Sequence, residues 1–344
     1  MELPFLSQGK RNGELLRKKF NPENIPPHHQ TCRLLRAKLQ SALLQNVAQS
    51  RVHLSKRLVA VEHCPDKRVR IVFEDGFVDE VDLVVAADGI RSVVRKFCFP
   101  NHVLRWSGQF VYCTIVSQAE VKKISGIPWS PVFWKNISDF YVYTCPLGND
   151  DFELTIRIRQ PQEGQEPVSW GRPFDLHTIV HEYDDFCLLI RRILSLTAKE
   201  KTREFALMSG PRLKRMVSHG NIAFVGDASH PLQGNFGSGV GFALEDVYML
   251  AMFLDWAWLK ERPLVDGLKL FDSIRSPHYK RLYKLVGKFT SIKAALREEG
   301  LPVDEENISS FGVVASGPDG GPQCYADRKL GLKRKAQHNN KSQG

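Results

Sequence analysis

A mixed α/β fold in two parts is what this chain of 344 residues predicts, and three observations predict it. Two short apolar runs, "DLVVAADG" at residues 82–89 and "NIAFVGD" at residues 221–227, each end in an acid beside a glycine. Continuous apolar runs of this length read as strands buried on both faces of a parallel sheet. Four aromatic-rich runs between residues 101 and 160 ("GQFVYCTIV", "SPVFWKN", "DFYVYTC", "DFELTIRIRQ") read instead as antiparallel strands of a separate sheet-rich part. Long helical patterns follow the second acid-ended run, completing the α/β pattern.

Leu35, Leu39 and Leu43 recur every four residues, which predicts an amphipathic helix over about residues 31–47 with Thr31 as its N-cap. "RVRIVFEDGFVDEV" at residues 68–81 predicts a hairpin closed by Asp75-Gly76 as a two-residue turn. After the four aromatic-rich runs, "QPQEGQEPVSWGRP" at residues 160–173 reads as a linker-like loop, and residues 175–197 as helical. Beyond Asp227 come two long helices, and from about residue 303 the composition shifts to Gly, Ser and Pro, where order is expected to fade.

Apolar content of 42% and charged content of 25% suit a globular protein with a substantial core. No run of 18 apolar residues exists, so no stable membrane span is predicted, and the first residues carry no signal-peptide core. Seven cysteines without a C-x-x-C pair point to reduced thiols, no metal site and a cytoplasmic protein. Half of the formal net charge of +10 sits in residues 327–344, with six Lys/Arg against one Asp. No nucleic-acid motif accompanies it, so the basic end reads as solvated chain and not as a nucleic-acid surface.

The chemistry lies where the two acid-ended strands stop. An aspartate at the carboxyl end of a parallel strand stands where ligands bind in open α/β sheets, and its carboxylate suits a sugar hydroxyl. After Gly226-Asp227 come Gly237, Gly239 and Gly241, which let backbone approach a flat ligand or a phosphate at a helix N-terminus. Eleven residues separate Val225 from Gly237, so this is not the usual dinucleotide fingerprint; the alternative is a Gly-rich turn capped by Asp227. Asp88 and Gly89, followed by Ser92 and Arg95, repeat the arrangement, with a helix-capping turn as the alternative.

"AADGIRSVVR" and "FVGDASHPLQGNFGSGVGFALED" resemble, in that order, the D-G and G-D motifs of the group A FAD-dependent monooxygenases. These flavin-dependent aromatic hydroxylases share the p-hydroxybenzoate hydroxylase fold, and the closest look is to the salicylate-hydroxylase-like branch. "CRLLRAKLQSALL" is similar to the family's R-x-x-L helix, and the resemblance covers roughly residues 30 to 290. It implies a Rossmann-like FAD-binding domain at residues 1–100 and 205–300, an antiparallel-sheet substrate domain at 101–204 and a disordered basic tail at 303–344. It further implies that Asp227, with Gly226, binds the ribityl or pyrophosphate region, and that His230 and Pro231 lead toward the flavin. Gly237, Ser238, Gly239, Val240 and Gly241 approach the isoalloxazine. Asp88, Gly89 and Arg95 lie near the pyrophosphate and serve NAD(P)H use, and Arg36 contacts FAD. Glu245 and Asp246 match the family's closing acidic pair, with first-turn acids of a helix as the alternative.

The implied activity is hydroxylation of an aromatic or polyketide-like small molecule with NAD(P)H and O2, in secondary metabolism. Trp106, Phe110, Tyr112, Phe133, Trp134, Tyr141 and Tyr143 are candidates to line an apolar substrate pocket, with plain sheet packing as the alternative. No catalytic base is singled out. Departures are Gly234 where many members have proline, and Gly241 where many have asparagine. Family members also begin with a βαβ unit carrying G-x-G-x-x-G, and residues before Arg36 show no such pattern. The FAD-binding domain is therefore expected to be incomplete. A truncated, non-catalytic remnant or interaction protein on the same scaffold is the alternative reading, and a start upstream of Met1 is another.

Overall fold

A computed structural model of the chain describes residues 5–8, 15–18, 33–135, 141–159, 170–184, 186–198, 201–232 and 239–298. They fall into two units: the chain up to Arg57 with Val103–Gly210, and Leu58–His102 with the chain from Pro211 onward. In chain order the first unit opens with β1 (Phe5–Gln8), β2 (Leu15–Lys18) and α1 (Arg36–Leu44). The second unit begins with β3 (Leu58–His63), β4 (Val69–Phe73), β5 (Val78–Val81), β6 (Val84–Ala86) and α2 (Val93–Cys98). The first resumes with β7 (Arg105–Ser117), α3 (Gln118–Lys122), β8 (Val132–Lys135), β9 (Tyr141–Pro146) and β10 (Asp151–Arg159). It continues with β11 (Trp170–Pro173), α4 (Leu188–Leu194) and β12 (Arg203–Ser209). The second unit closes with β13 (Val217–Ser218), β14 (Ile222–Phe224), α5 (Gly239–Leu259) and α6 (Leu264–Glu298).

The first unit is built on a six-stranded antiparallel sheet in the order β11-β12-β7-β10-β9-β8. Its strands alternate as the sequence predicts, because successive side chains leave a strand on opposite faces. Phe152, Leu154, Ile156 and Ile158 of β10 enter the apolar core, beside Phe110, Tyr112 and Trp134. The half-buried Glu153, Thr155 and Arg157 take the other face. Three of the seven aromatics offered as pocket lining, Phe110, Tyr112 and Trp134, are therefore core residues, and Trp106 packs against that core. Phe133, Tyr141 and Tyr143 instead form a ring cluster, with Arg157 over Tyr141 and Arg33 over Tyr143.

Three local expectations change. Helix α1 is shorter than the predicted 31–47, and Thr31 lies outside the described residues. None of its residues is buried: Leu39 is half-buried and Leu43 and Leu44 are exposed, so the four-residue spacing marks the helix without a core to receive it. The end of the linker-like stretch is strand β11, which pairs with β12; β12 itself straddles the 204/205 boundary drawn from sequence. Residues 175–197 hold a 3-10 segment, Leu176–Tyr183, and the short α4 in place of one helix.

The second unit contains the parallel pair. β14 and β6 run parallel with Phe224 opposite Ala86, and β13 adds antiparallel to β14. Every residue of β14 is fully buried, with Ile222 and Phe224 in one apolar cluster and Ala223 in another with α5 and α6. β6 departs from expectation. It stands at the edge of this three-stranded sheet, and Val85 is 42% exposed while Ala86 is buried, so only one face is covered. β3, β4 and β5 form a second antiparallel sheet. The β4–β5 turn is not the expected two-residue one. Gly76 N–H donates to the Phe73 carbonyl, and Gly76 alone takes positive φ (82°), as in a type I turn with a glycine bulge.

Helices α5 and α6 pack on each other at Gly267. A Cβ there would sit 2.5 Å from the Phe253 carbonyl oxygen, so only glycine admits this approach. The α6 side chain of Asp272 accepts the Met216 amide at 2.6 Å, which ties the helix to the strand entering the site. No described helix is long and apolar enough to cross a membrane.

Candidate functional site

Parallel pairing brings both acid-ended runs to one end of one sheet. The ladder continues one step past β14, with Val225 N–H donating to the Ala86 carbonyl at 3.1 Å. Gly226–Ala228 then makes a 3-10 turn, and Gly226 takes φ of 57°, a left-handed conformation that favours glycine. A Cβ at Gly226 would also meet the Ala243 Cβ at 3.1 Å. The turn thus lies against the second turn of α5. The Asp227 side chain is exposed, and the position of a Gly239 Cβ lies 4.0 Å from its Oδ1. An exposed carboxylate therefore stands beside the N-terminus of a 21-residue helix.

Arg95 ties the two motifs together. Its Nη1 donates to the Asp227 and Ala228 carbonyls, each at 2.9 Å, and its Nη2 donates to the Ile90 carbonyl. The side chain is 3% exposed, and burial lowers its pKa while Asp88, Tyr283 and Asp227 oppose that shift. Asp88 is spent on helix α2: its Oδ2 accepts the Val93 amide at 2.8 Å and the Val94 amide at 3.3 Å, while Ser92 Oγ accepts the Arg95 amide. The capping geometry weighed from sequence is thus present, and it orients Arg95. Among the described residues the buried Tyr283 hydroxyl has no hydrogen-bond partner; burial pushes its pKa up, and Arg95, Asp227 and Arg212 lie within electrostatic reach.

Behind the turn lies a sealed polar cluster. Asp246 is fully buried, and its Oδ2 accepts the Gly226 amide at 3.0 Å and His230 Nε2 at 2.9 Å. Its Oδ1 accepts Arg275 Nε at 2.7 Å and the Tyr279 hydroxyl at 2.9 Å. Arg275 also donates to Glu245 at 3.2 Å and to the Tyr279 oxygen at 2.9 Å. Burial raises the Glu245 pKa, with Arg275 opposing. Burial and then Arg275 push His278 down to about 4. The alternative for Glu245 and Asp246, acids of a first helical turn, does not hold, because α5 starts at Gly239 and has no acid in its first turn.

Of the residues singled out in the sequence, Asp88, Gly89, Arg95, Gly226, Asp227 and Pro231 gather at this end of the second unit, with Gly239, Val240 and Gly241 at the start of α5. Pro231 is buried, and Val240 and Gly241 are exposed. Gly234, Gly237 and Ser238 lie outside the described residues. Arg36 is the exposed first residue of α1 in the other unit. Arg275, Tyr279 and Tyr283 were not foreseen; their one signal is spacing of four along a single helix face.

No family model matches the chain. Over 224 residues it is 28% identical to 2-heptyl-3-hydroxy-4(1H)-quinolone synthase of Pseudomonas aeruginosa, a match covering 63% of this chain and 54% of that protein. Over 295 residues it is 24% identical to salicylate hydroxylase of Pseudomonas putida, covering 80% and 66% respectively. The chain thus spans about half the length of the first relative and about two thirds of the second. Klebsiella pneumoniae HpxO, solved with FAD and uric acid, superposes with a TM-score of 0.71 at 19% identity, over 90% of this chain and 75% of that one. By sequence and by fold, the chain is a homologue of the FAD-dependent monooxygenases of the salicylate hydroxylase type.

Proposed function

We propose that this chain binds FAD at the paired strand ends and serves an NAD(P)H- and O2-dependent monooxygenase that hydroxylates an aromatic small molecule. One observation carries the reading: two parallel strand ends, each with an aspartate beside a glycine, are joined through Arg95. The names of the relatives support the chemistry, for they include salicylate hydroxylase, 6-methylsalicylate 1-monooxygenase and 3-amino-4-hydroxybenzoate 2-monooxygenase. A non-catalytic remnant is not favoured by those relatives. A role in secondary metabolism is part of the same proposal.

The residues present fit the cofactor. The exposed Asp227 carboxylate is an acceptor for ribityl hydroxyls. The N-terminus of α5 at Gly239, Val240 and Gly241 favours negative charge, and the glycines leave room for a flat ring. The Tyr283 hydroxyl, without a partner among the described residues, supplies a donor beside Arg95. FAD, when bound, supplies the reduction by NAD(P)H and the activation of oxygen. Asp88 and Gly89 act through α2 by holding Arg95, whose charge favours the anionic pyrophosphate. Gly237, by its place in the sequence, belongs to the same proposed binding set. The cluster of Phe133, Tyr141 and Tyr143 on the polar face of the first unit's sheet is proposed to receive the aromatic substrate.

The test uses the full purified chain titrated with FAD. Visible flavin absorbance should co-elute with the protein, and NADPH consumption should rise on adding salicylate. Asp227→Asn should weaken FAD binding about tenfold, the effect of losing one charge-assisted hydrogen bond, without loss of thermal stability. A wild-type chain that retains no flavin at saturating concentration overturns the reading.

A further inference from the structure

We propose that Asp246, with His230, Arg275 and Tyr279, is a positioning device that sets where the Asp227 carboxylate is presented. The proposal rests on the reading of Asp227 as a cofactor ligand and extends it to four residues that need not touch the cofactor. All four are sealed: Asp246 and Arg275 are 0% exposed, and His230 and Tyr279 1%.

The four bonds to Asp246 come from two separate places. Gly226 N–H and His230 Nε2 belong to the turn and its exit, on either side of Asp227, whereas Arg275 and Tyr279 belong to α6. The carboxylate can only accept, so His230 Nε2 carries the hydrogen that faces it. The ring is then fixed twice: in its plane by Asp246, and face to face by Tyr279, with centroids 4.1 Å apart and planes 21° apart. Asp227 is thus carried on three residues whose neighbours on both sides are anchored to a single group. The contact of Gly226 with Ala243 holds the turn against the same helix one turn earlier.

Stability alone does not account for such a cluster. Apolar residues of similar volume commonly serve a core as well as a buried ion pair does, or better. What they do not supply is direction. An apolar side chain at position 246 would leave the Gly226 amide without its acceptor, and the left-handed turn without the bond that fixes its orientation.

The experiment measures amide exchange at Gly226 and FAD affinity in the full chain, for wild type, Asp246→Asn, Tyr279→Phe and Phe271→Leu. Tyr279→Phe is the mild variant, which keeps the ring and removes one bond to Asp246. Phe271 lies in the apolar core between the same two helices and makes none of these bonds. Both cluster variants should speed exchange at Gly226 and weaken FAD binding by about tenfold. Phe271→Leu should lower the melting temperature at least as much as Tyr279→Phe while leaving both readouts within about twofold. Unchanged exchange at Gly226 in both cluster variants overturns the proposal, as does an equal response in Phe271→Leu. A wild-type chain that binds no FAD, but whose Gly226 amide responds as stated, overturns the cofactor reading and leaves the positioning of the turn standing.

Discussion

Each unit buries one acid against an arginine, and the two pairs could hardly be more different. In the first unit Glu204 is 2% exposed, but its partner Arg172 remains 62% exposed at the sheet edge. In the second, both Asp246 and Arg275 are 0% exposed. Water can replace the guanidinium of Arg172, because that side chain already reaches solvent. Nothing can replace that of Arg275. The lesson concerns purpose: the antiparallel sheet tolerates a charge at its margin, whereas the parallel unit builds charges into the packing directly behind its turn.

The sharpest way to break this comparison is Arg275→Leu. Leaving Asp246 buried and unpaired should cost about 3–5 kcal/mol in urea denaturation of the full chain. Gly267→Ala comes next. Its Cβ would press on the Phe253 carbonyl and drive α5 from α6, for a loss of about 1–3 kcal/mol on the same assay.

Acidification probes the same unit. His278 stays neutral in the folded chain until about pH 4, whereas the unfolded chain takes up a proton near the ordinary value of 6.5. Stability is therefore lost as pH falls between those values, at no more than about 1.4 kcal/mol per pH unit for one proton. Glu245, whose pKa burial raises, takes its proton earlier in the folded chain and offsets part of that loss. Denaturation midpoints at pH 7, 6 and 5 should therefore decline, and His278→Gln should flatten the decline. The smallest effect is expected from Arg172→Leu in the first unit: at most about 1 kcal/mol, because its side chain is mostly in water. A loss as large as that of Arg275→Leu would erase the contrast between the two pairs.

Much of this was legible in the sequence. β14 could be read from its apolar run, because a strand with both faces covered has no polar alternation, and β6 was read the same way although only one of its faces is covered. The antiparallel sheet could be read from its period of two. Which face each strand turned to the core could not: Phe110 and Tyr112 join the main core while Tyr141 and Tyr143 take the opposite face of the sheet, and that depends on register between strands. The exposure of Val85 was equally invisible, because a run of letters does not say how many neighbours a strand has. The Asp246 cluster was hidden for a different reason. Its partners Arg275 and Tyr279 lie 29 and 33 residues along the chain, and helix pairing alone unites them.

Tyr279 carries a last consequence. Its hydroxyl oxygen receives an N–H from Arg275, and a guanidinium has no lone pair to offer in return. The hydroxyl hydrogen thus has a single rotor setting, toward Asp246. Polarity therefore runs from α6 through the phenol into the Asp246 carboxylate, where it meets the Gly226 and His230 donors of the turn, and no rotation of the phenol hydroxyl can reverse it. A proton locked in that manner should trade with solvent slowly and give its own downfield resonance, a native reporter of whether the turn is held.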